Sequence, residues 1–490
     1  MAKKVKSAAL FVLLLAVFLG MFAAFGPGLY NDSDQYMKMH IHREPLYPIF
    51  LLLLRTICGE GEGWLILMGI IQNMLAAFSI WYMAEYVGRR FRLCLWQEAA
   101  VAVIGILPYV TTIFFSALHL VMTNGVMSEG VCLPLFTIYM TECFKMAAET
   151  ERRTVGRAAA VSLCLAFVLS LTRSQMMLTI LMWLVVLGAK IVFRKPQERD
   201  GKGTGLPRKA LGGRLLRVSA AAGAVACVFV LRLLAVKSYN LVFNGHFINN
   251  TYGPVNTLTN ILYSADREDG ERIGDEEARD FFYRMYDLTE DRQANYKYAG
   301  DSLREKTEHI EEWHDTIKYE MIEDVFYQTY DKYVTSDYII QNLMADETAG
   351  KIMKGILPGC FPRWCVNYLL IARYGLIRSI AVVHPVLNWV AACIYLSAFV
   401  LMGLAYRKDK KSRAVRVMAV ALLAVAANVA AVSITIMCLS RYMIYGFVPF
   451  YTAYFLLLTE CYRGYIGCPA GMGKRSLREL RGRNQDRVNM

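Results

Sequence analysis

Ten long apolar blocks constrain this chain more than any other feature of its sequence. Each approaches the roughly 20 residues that a helix needs to cross a bilayer core of about 30 Å. Because hydrocarbon offers the backbone no hydrogen-bond partner, each block should be an α-helix. The blocks cover approximately residues 8–26, 64–87, 98–118, 126–144, 158–171, 175–193, 218–236, 380–405, 415–437 and 442–458. The sequence therefore predicts an all-α polytopic membrane protein with about ten transmembrane helices.

Composition supports this class of protein. Hydrophobic residues make up 56% of the 490 positions and the mean hydropathy is +0.33, which is too apolar for a soluble chain. Lys3, Lys4 and Lys6 precede the first block. That block is longer than the apolar region of a signal peptide, and no clear small-residue cleavage site follows it. We therefore expect a first helix that is retained.

The basic residues predict the orientation. They cluster at residues 3–6, 89–92, 152–157, 194–217, 407–416 and 474–487. Ten helices place all six clusters on one side, which the positive-inside rule identifies as the cytoplasm. We expect a multi-pass protein of the cell membrane with both termini in the cytoplasm.

The net charge of +13 is unevenly distributed along the chain. Residues 239–378 hold 24 acidic and 15 basic residues, a balance of −9, whereas the remainder holds 17 and 39, a balance of +22. Basic groups beside membrane spans suit the anionic lipids of the inner leaflet. Their position argues against nucleic acid as a partner.

The pattern divides the chain into four parts. These are an N-terminal membrane module with seven spans and an exterior loop at 27–63 (1–238), an exterior domain (239–378), a C-terminal module with three spans (379–460) and a basic cytoplasmic tail (461–490). Apolar residues at spacings of three and four, such as Ile310, Trp313 and Ile317, predict that the exterior domain is mainly helical. The apolar run Leu46–Leu54 is too short to span and predicts an interfacial or re-entrant helix.

Acidic and histidine side chains follow the first span closely. Asp32 and Asp34 lie just outside the bilayer, where carboxylates can act as a general base or hold a divalent cation against a phosphate. His40 and His42 follow and could join such a metal site. The competing interpretation is a solvated loop, in which Asp is a common turn residue.

Three charged residues border predicted spans on the same exterior side. Glu129 lies near the outer end of the fourth helix, and Arg173 and Arg441 lie in outer turns. Charges beside hydrocarbon are costly and are functional candidates for that reason. A guanidinium suits phosphate because its planar fork donates two hydrogen bonds. The alternative is that the two arginines extend toward lipid headgroups.

Several short motifs together resemble the GT-C class of membrane glycosyltransferases, in particular bacterial family-39-like members. Asp32-Ser33-Asp34-Gln35-Tyr36 resembles the acidic motif of their first loop, and Arg43-Glu44-Pro45-Leu46-Tyr47-Pro48 resembles their "HPPLYP" or "REPGYP" segment. Ser128-Glu129 resembles the acid that begins their fourth helix, and Leu171-Thr172-Arg173 and Ser440-Arg441-Tyr442 resemble the arginine motifs of later exterior turns. Arg43-Glu44 replaces the histidine of the "HPP" form, and the exterior domain matches no pattern of the class.

The resemblance implies a glycosyltransferase that moves a sugar from a polyprenyl-phosphate donor to an envelope glycan, lipid or protein acceptor. We expect Asp34 to be the base, because it lies nearer the interfacial run Leu46–Leu54, and Asp32 to position the acceptor or a divalent metal ion, with His40 and His42 as further candidate ligands. Donor and substrate binding would fall to Arg173, Arg441, Tyr442, Glu129, Arg43, Glu44 and Tyr36. The alternatives are a transporter or flippase, or an assembly protein, for a lipid-linked saccharide. A transporter needs polar groups along a path through the bilayer. Most of the predicted helices are apolar at mid-depth, and Gln72, Asn73 and Asn428 are the few polar residues there.

Overall fold

The computed structural model describes residues 2–115, 121–192, 208–381 and 385–462. Regular structure in these ranges is helical, and the pairing of extended backbone within them is limited to an isolated bridge between Gly28 and Gly125. The prediction of an all-α polytopic membrane protein is confirmed. The basic loop at 193–207 and the tail from 463 onward lie outside the described residues.

The helices follow one another with short connections over most of the described chain. The first nine are α1 (Ala2–Phe25), α2 (Ser33–Met37), α3 (Leu46–Cys58), α4 (Gly63–Phe91), α5 (Leu95–Phe115), α6 (Glu129–Ala148), α7 (Arg152–Ser170), α8 (Leu178–Val192) and α9 (Arg208–Asn244), with a 3-10 helix (Ser174–Met177) before α8. Then come α10 (Gly253–Tyr263), α11 (Glu276–Asp291), α12 (Leu303–Thr316), α13 (Asp324–Tyr333) and α14 (Tyr338–Arg378), with 3-10 helices at Arg267–Arg272 and Tyr296–Tyr298 and a π-helix at Ile317–Glu323. The last four are α15 (Pro385–Lys408), α16 (Arg413–Thr435), α17 (Ser440–Met443) and α18 (Phe447–Cys461), with a 3-10 helix (Ile444–Gly446) before α18.

Ten candidate membrane spans lie in this order of helices. They fall in α1, α4 to α9, α15, α16 and the run Ser440–Cys461 from α17 to α18. Most of α6 is buried, because α4, α7 and α16 pack around it. By contrast, α1, α9 and α15 are mostly exposed, as expected of apolar helices that face lipid.

Residues 245–381, between α9 and α15, form a helical segment that we call the inter-span unit. Side chains cap the free backbone N–H groups at the start of α12 and α14: Ser302 and Glu305 form a capping box, and Asp337 accepts from Ile339 and Ile340. Since α9 continues to Asn244, the predicted domain boundary at 239 falls inside a helix. The 41 residues of α14 extend about 60 Å, and α14 packs on both α10 and α16.

The short apolar run after the first span is a helix, as predicted. At 13 residues, α3 is too short to cross a bilayer. It packs against α4, and the backbone N–H of Leu46 at its start donates to the Leu171 carbonyl at 2.9 Å. This bond joins the loop after α1 to the turn after α7, where Arg173 lies.

Candidate functional site

A backbone bridge fixes the loop after α1 against the start of α6. The Gly28 N–H donates to the Asn124 carbonyl at 3.1 Å, and the Val126 N–H donates back to the Gly28 carbonyl at 3.0 Å. A side chain at Gly125 would come within 2.1 Å of the Tyr30 ring, so the close approach requires glycine. The Ser33 hydroxyl donates to the Val126 carbonyl at 2.9 Å. These bonds place α2 beside the N-terminus of α6.

Asp32 lies at the centre of a group of side chains that we call the charge cluster. Its members are Asp32, Tyr36, Arg43, Glu129, Arg173, Arg441 and Tyr442. Asp32 Oδ1 accepts from Arg43 Nη2 at 2.9 Å, and Asp32 Oδ2 accepts from Arg441 Nη1 at 3.2 Å. Burial alone would raise the pKa of the Asp32 carboxyl, but the charges of Arg43, Arg441 and Arg173 together lower it below its ordinary value. Asp32 is therefore an ionised counter-charge.

Arg43 is held in place from several sides. Gln35 Oε1 accepts from Arg43 Nε at 2.9 Å and from Nη2 at 2.6 Å, and the guanidinium lies 4.6 Å above the Tyr36 ring. The Tyr36 hydroxyl in turn shares a hydrogen bond of 3.0 Å with the Ser128 hydroxyl. The fork of Arg43 is thus oriented toward Asp32 before any ligand arrives.

Arg173 and Glu129 form a buried ion pair at the start of α6. Arg173 Nη1 lies 2.6 Å from Glu129 Oε2 and donates to the Ser128 hydroxyl at 2.9 Å. Glu129 is 1% exposed, and its second oxygen, Oε1, has no hydrogen-bond partner among the described residues. A buried acceptor without a partner is costly, so Glu129 has unused capacity to accept a hydrogen bond from a ligand.

Tyr442 lies between two of the arginines. Its ring is 4.8 Å from the Arg441 guanidinium carbon and 5.5 Å from that of Arg173, and its hydroxyl accepts from Arg441 Nη2 at 2.6 Å. The side chains of Gln175 and Asn428 donate to the Tyr442 carbonyl at 2.9 and 2.8 Å, which fixes the turn at α17. The buried Nε of Arg441 has no hydrogen-bond partner in the described part of the chain.

The cluster carries a positive excess. Three arginines (Arg43, Arg173, Arg441) face two carboxylates (Asp32, Glu129), so the net charge is 3 − 2 = +1. Asp32 lies at the start of α2 and Arg43 in the loop before α3, whereas Glu129 begins α6, Arg173 follows α7 and Arg441 lies in α17. The arrangement can bind an anion with preformed guanidinium forks at a membrane boundary.

Asp34 lies apart from the cluster. Its carboxylate is 60% exposed and pairs with Lys38 at 2.8 Å, one helical turn away. Asp34 was the preferred base in the sequence analysis, but the structure brings Asp32 and not Asp34 to the arginines.

The candidate metal ligands are not assembled either. The rings of His40 and His42 lie 4.3 Å apart, yet no group of three or more His, Cys, Asp or Glu side chains is arranged to hold a metal ion in the residues described. Both oxygens of Asp32 accept from arginines, and Asp34 faces Lys38. Burial holds the pKa of His42 down to about 3, so its imidazole is neutral at physiological pH.

Glu44 also lies outside the cluster. Its Oε1 pairs with Arg232 Nη2 of α9 at 2.6 Å, and the side chain is 4% exposed. Burial raises the pKa of Glu44 to about 7 despite the opposing effect of Arg232. The pair ties the loop after α1 to the middle of the seventh span.

Three residues near the cluster had no assigned role in the sequence analysis. Gln35 and Ser128 lie inside the quoted motifs, and their contacts orient Arg43 and Arg173. Lys318, on the π-helix of the inter-span unit, was missed entirely, because its helical spacing gives no sign of a site.

Comparisons with known proteins find no matching family model, no similar curated protein and no similar solved structure.

Proposed function

We propose that this protein is a glycosyltransferase that takes a sugar from a polyprenyl-phosphate donor at the outer face of the cell membrane. The observation that carries the proposal is the convergence of Arg43 and Arg441 on the two oxygens of Asp32. The cluster combines preformed phosphate ligands with a carboxylate, at the level where a lipid-linked phosphate would lie. The acceptor is an envelope glycan, lipid or protein.

The reaction requires a base from the carboxylate of the cluster and charge stabilisation from its arginines. The acceptor hydroxyl oxygen attacks the anomeric carbon and its proton passes to Asp32. The bond from that carbon to the phosphate oxygen breaks, and the lipid phosphate leaves with one more negative charge. Arginine forks aimed at that developing charge stabilise the transition state. The sugar hydroxyls have an acceptor in the free oxygen of Glu129.

Asp32 can become a base only when its counter-charges are taken up. With no ligand bound, three arginines lower the pKa of its carboxyl and make it a weak base. A donor phosphate that binds Arg43 and Arg441 neutralises much of this positive charge and displaces the carboxylate. The pKa of Asp32 then rises, so donor binding itself prepares the base.

The runner-up is a transporter or flippase for a lipid-linked saccharide. It would need polar side chains lining a route through the spans. The buried amides of Gln72 and Asn73 instead donate to the Thr123 carbonyl at 3.0 and 3.2 Å, and Asn428 holds the Tyr442 carbonyl. These contacts use the amides to fix turns, which favours the enzyme.

The test is cleavage of the donor. Wild-type protein in nanodiscs, given a polyprenyl-phosphate sugar and an envelope fraction as acceptor source, should release polyprenyl phosphate and transfer the labelled sugar. In liposomes that contain a fluorescent lipid-linked saccharide, a transporter would move the lipid between leaflets without cleaving it. Movement of the lipid between leaflets without cleavage of the donor would contradict the glycosyltransferase proposal and support the transporter.

A further inference from the structure

The amine of Lys318 is a buried cation without an ion-pair partner. The residue is 9% exposed, and in the described ranges no carboxylate oxygen lies within 4.0 Å of its Nζ. Its hydrogen bond is to the Tyr319 hydroxyl at 3.3 Å. Buried charges are normally paired, so this amine points to a ligand.

The carboxylates around Lys318 are already engaged. Those close enough to act on its charge belong to Glu323, Asp315 and Asp32. Glu323 accepts from the Tyr252 hydroxyl, Asp315 lies 3.1 Å from the His314 ring, and Asp32 holds two arginines. Lys318 therefore adds positive charge beside the charge cluster instead of neutralising a neighbour.

Two aromatic rings hold the amine in position. It lies 4.6 Å from the centroid of the Tyr252 ring and 4.5 Å from that of Tyr319, distances at which cations attract ring faces. Tyr252 has a left-handed backbone with φ of 83°, a strained conformation that clusters at functional sites. Its ring stacks on His42 at 4.9 Å.

The backbone around Lys318 is also unusual. Lys318 lies on the π-helix Ile317–Glu323 between α12 and α13. This conformation is rare in proteins as a whole but occurs often at functional sites. Arg43 is among the charged groups that act on the amine. The same π-helix carries Tyr319, which is 48% exposed and whose hydroxyl is within electrostatic range of Asp32 and Tyr442.

We propose that Lys318 binds the phosphate of the lipid-linked donor together with Arg43 and Arg441, so that the inter-span unit contributes directly to the substrate site. This inference rests on the proposed function for the identity of the ligand. A phosphate oxygen in contact with the amine would supply the missing counter-charge.

Binding of polyprenyl monophosphate to the full chain in neutral-lipid nanodiscs tests the inference. Lys318→Met keeps the stem of the side chain and removes its charge, and we expect about tenfold weaker binding because a hydrogen bond to a charged group is lost. Lys332→Met is the matched control, since Lys332 lies on the same unit with its amine 4.7 Å from the Tyr333 ring. It should bind like wild type.

The outcomes separate the two proposals. No binding to wild type defeats the proposed function. Binding to wild type that Lys318→Met leaves unchanged overturns the inference alone. Displacement of the lipid by equimolar inorganic phosphate would identify a free-phosphate site and also overturn it. If the Met variant does not fold, a polyprenyl acyl phosphate, which transfers its acyl group to nearby amines, should label Lys318 in wild-type protein, and failure to do so contradicts the inference.

Discussion

Arg441 donates to Asp32 at 3.2 Å although 409 residues separate them in the chain. The contact brings the start of the last span to the loop after the first. A carboxylate in such a contact lowers the electrostatic cost of burying the arginine. Under the proposed function, the donor phosphate would replace this carboxylate as the partner of the guanidinium.

Asparagine at position 32 should nearly abolish sugar transfer. Asn cannot accept the proton, and the loss of a general base reduces rates by roughly 10²–10⁴. Asp34→Asn should retain activity close to wild type, since Asp34 pairs with Lys38 in solvent. Both variants would be assayed for polyprenyl phosphate release after their folding is confirmed. The reverse ranking would assign the base to Asp34, as the sequence analysis expected.

Lysine at position 441 should weaken donor binding. Arg441 contacts both Asp32 and the Tyr442 hydroxyl with separate nitrogens, and lysine cannot reproduce that fork. We expect about a tenfold increase in the dissociation constant for polyprenyl phosphate. Arg55→Lys is the control, because Arg55 pairs with the exposed Glu60 away from the cluster. Equal affinity in the Arg441 variant would show that the fork is not used.

The buried pair of Glu44 and Arg232 should give stability a distinct pH dependence. Arg232→Met leaves a buried carboxylate unpaired, which costs about 3–5 kcal/mol when it is charged. The folded pKa of Glu44, about 7, is above its ordinary 4.5, so Glu44 favours folding most at low pH and this contribution disappears as pH rises through 7. Thermal unfolding should therefore show a larger destabilisation of Arg232→Met at pH 8 than at pH 5.

A second substitution provides the control for this pair. Glu44→Gln in the Arg232→Met background removes the unpaired charge and should recover part of the lost stability at pH 8. A penalty that is the same at both pH values, or one that the second substitution leaves in place, would mean that Arg232 stabilises the fold by packing alone.

Alanine at Gly130 should disturb the start of α6. A side chain there would come within 2.6 Å of the Gln72 amide, which is fully buried and hydrogen-bonded to the Thr123 and Gly125 carbonyls. Overpacking of this kind costs about 1–3 kcal/mol. Gly156→Ala in α7 has open space around it and should be neutral or stabilising. Thermal unfolding of the two variants would be compared, and equal stability would contradict the close contact.

Labelling of single cysteines should establish the orientation. In a background without native reactive cysteines, positions 62 and 301 should react from outside intact cells, since both Glu62 and Asp301 are exposed. Ser33 is a poor probe because it is 1% exposed. Lys410, between α15 and α16, should react only after the membrane is opened, and so should Lys202 in the basic loop. Labelling of position 410 from outside intact cells would contradict the predicted orientation.

The apolar blocks predicted the spans because a helix in hydrocarbon must be long and continuously apolar, a property that a single sequence displays. The shift of the seventh span to Asn244 shows the limit of this rule, since α9 continues past the apolar core as an ordinary helix. Helical periodicity around Ile310 and Ile317 likewise anticipated the helices of the inter-span unit.

The choice between Asp32 and Asp34 could not be made from the sequence. Residues two apart on a helix point to nearly opposite sides, so the rotation of α2 decides which of them meets the arginines. That rotation is set by bonds from Ser33 and Tyr36 to Val126 and Ser128, more than 90 residues away. Lys318 depends in the same way on contacts that form only in the folded unit.

The span of chain between Asp32 and Arg441 has a consequence for biogenesis. As the protein emerges from the ribosome, Asp32 first meets Arg43, eleven residues further on. Arg173, Lys318 and Arg441 follow in that order, and Arg441 becomes available only once the start of the tenth candidate span has been synthesised. A chain that stops before the tenth span would hold the Asp32 carboxylate paired with Arg43 and would lack Arg441 and Tyr442 of the charge cluster. Synthesis thus leaves the charge cluster incomplete until the start of the tenth candidate span has been made.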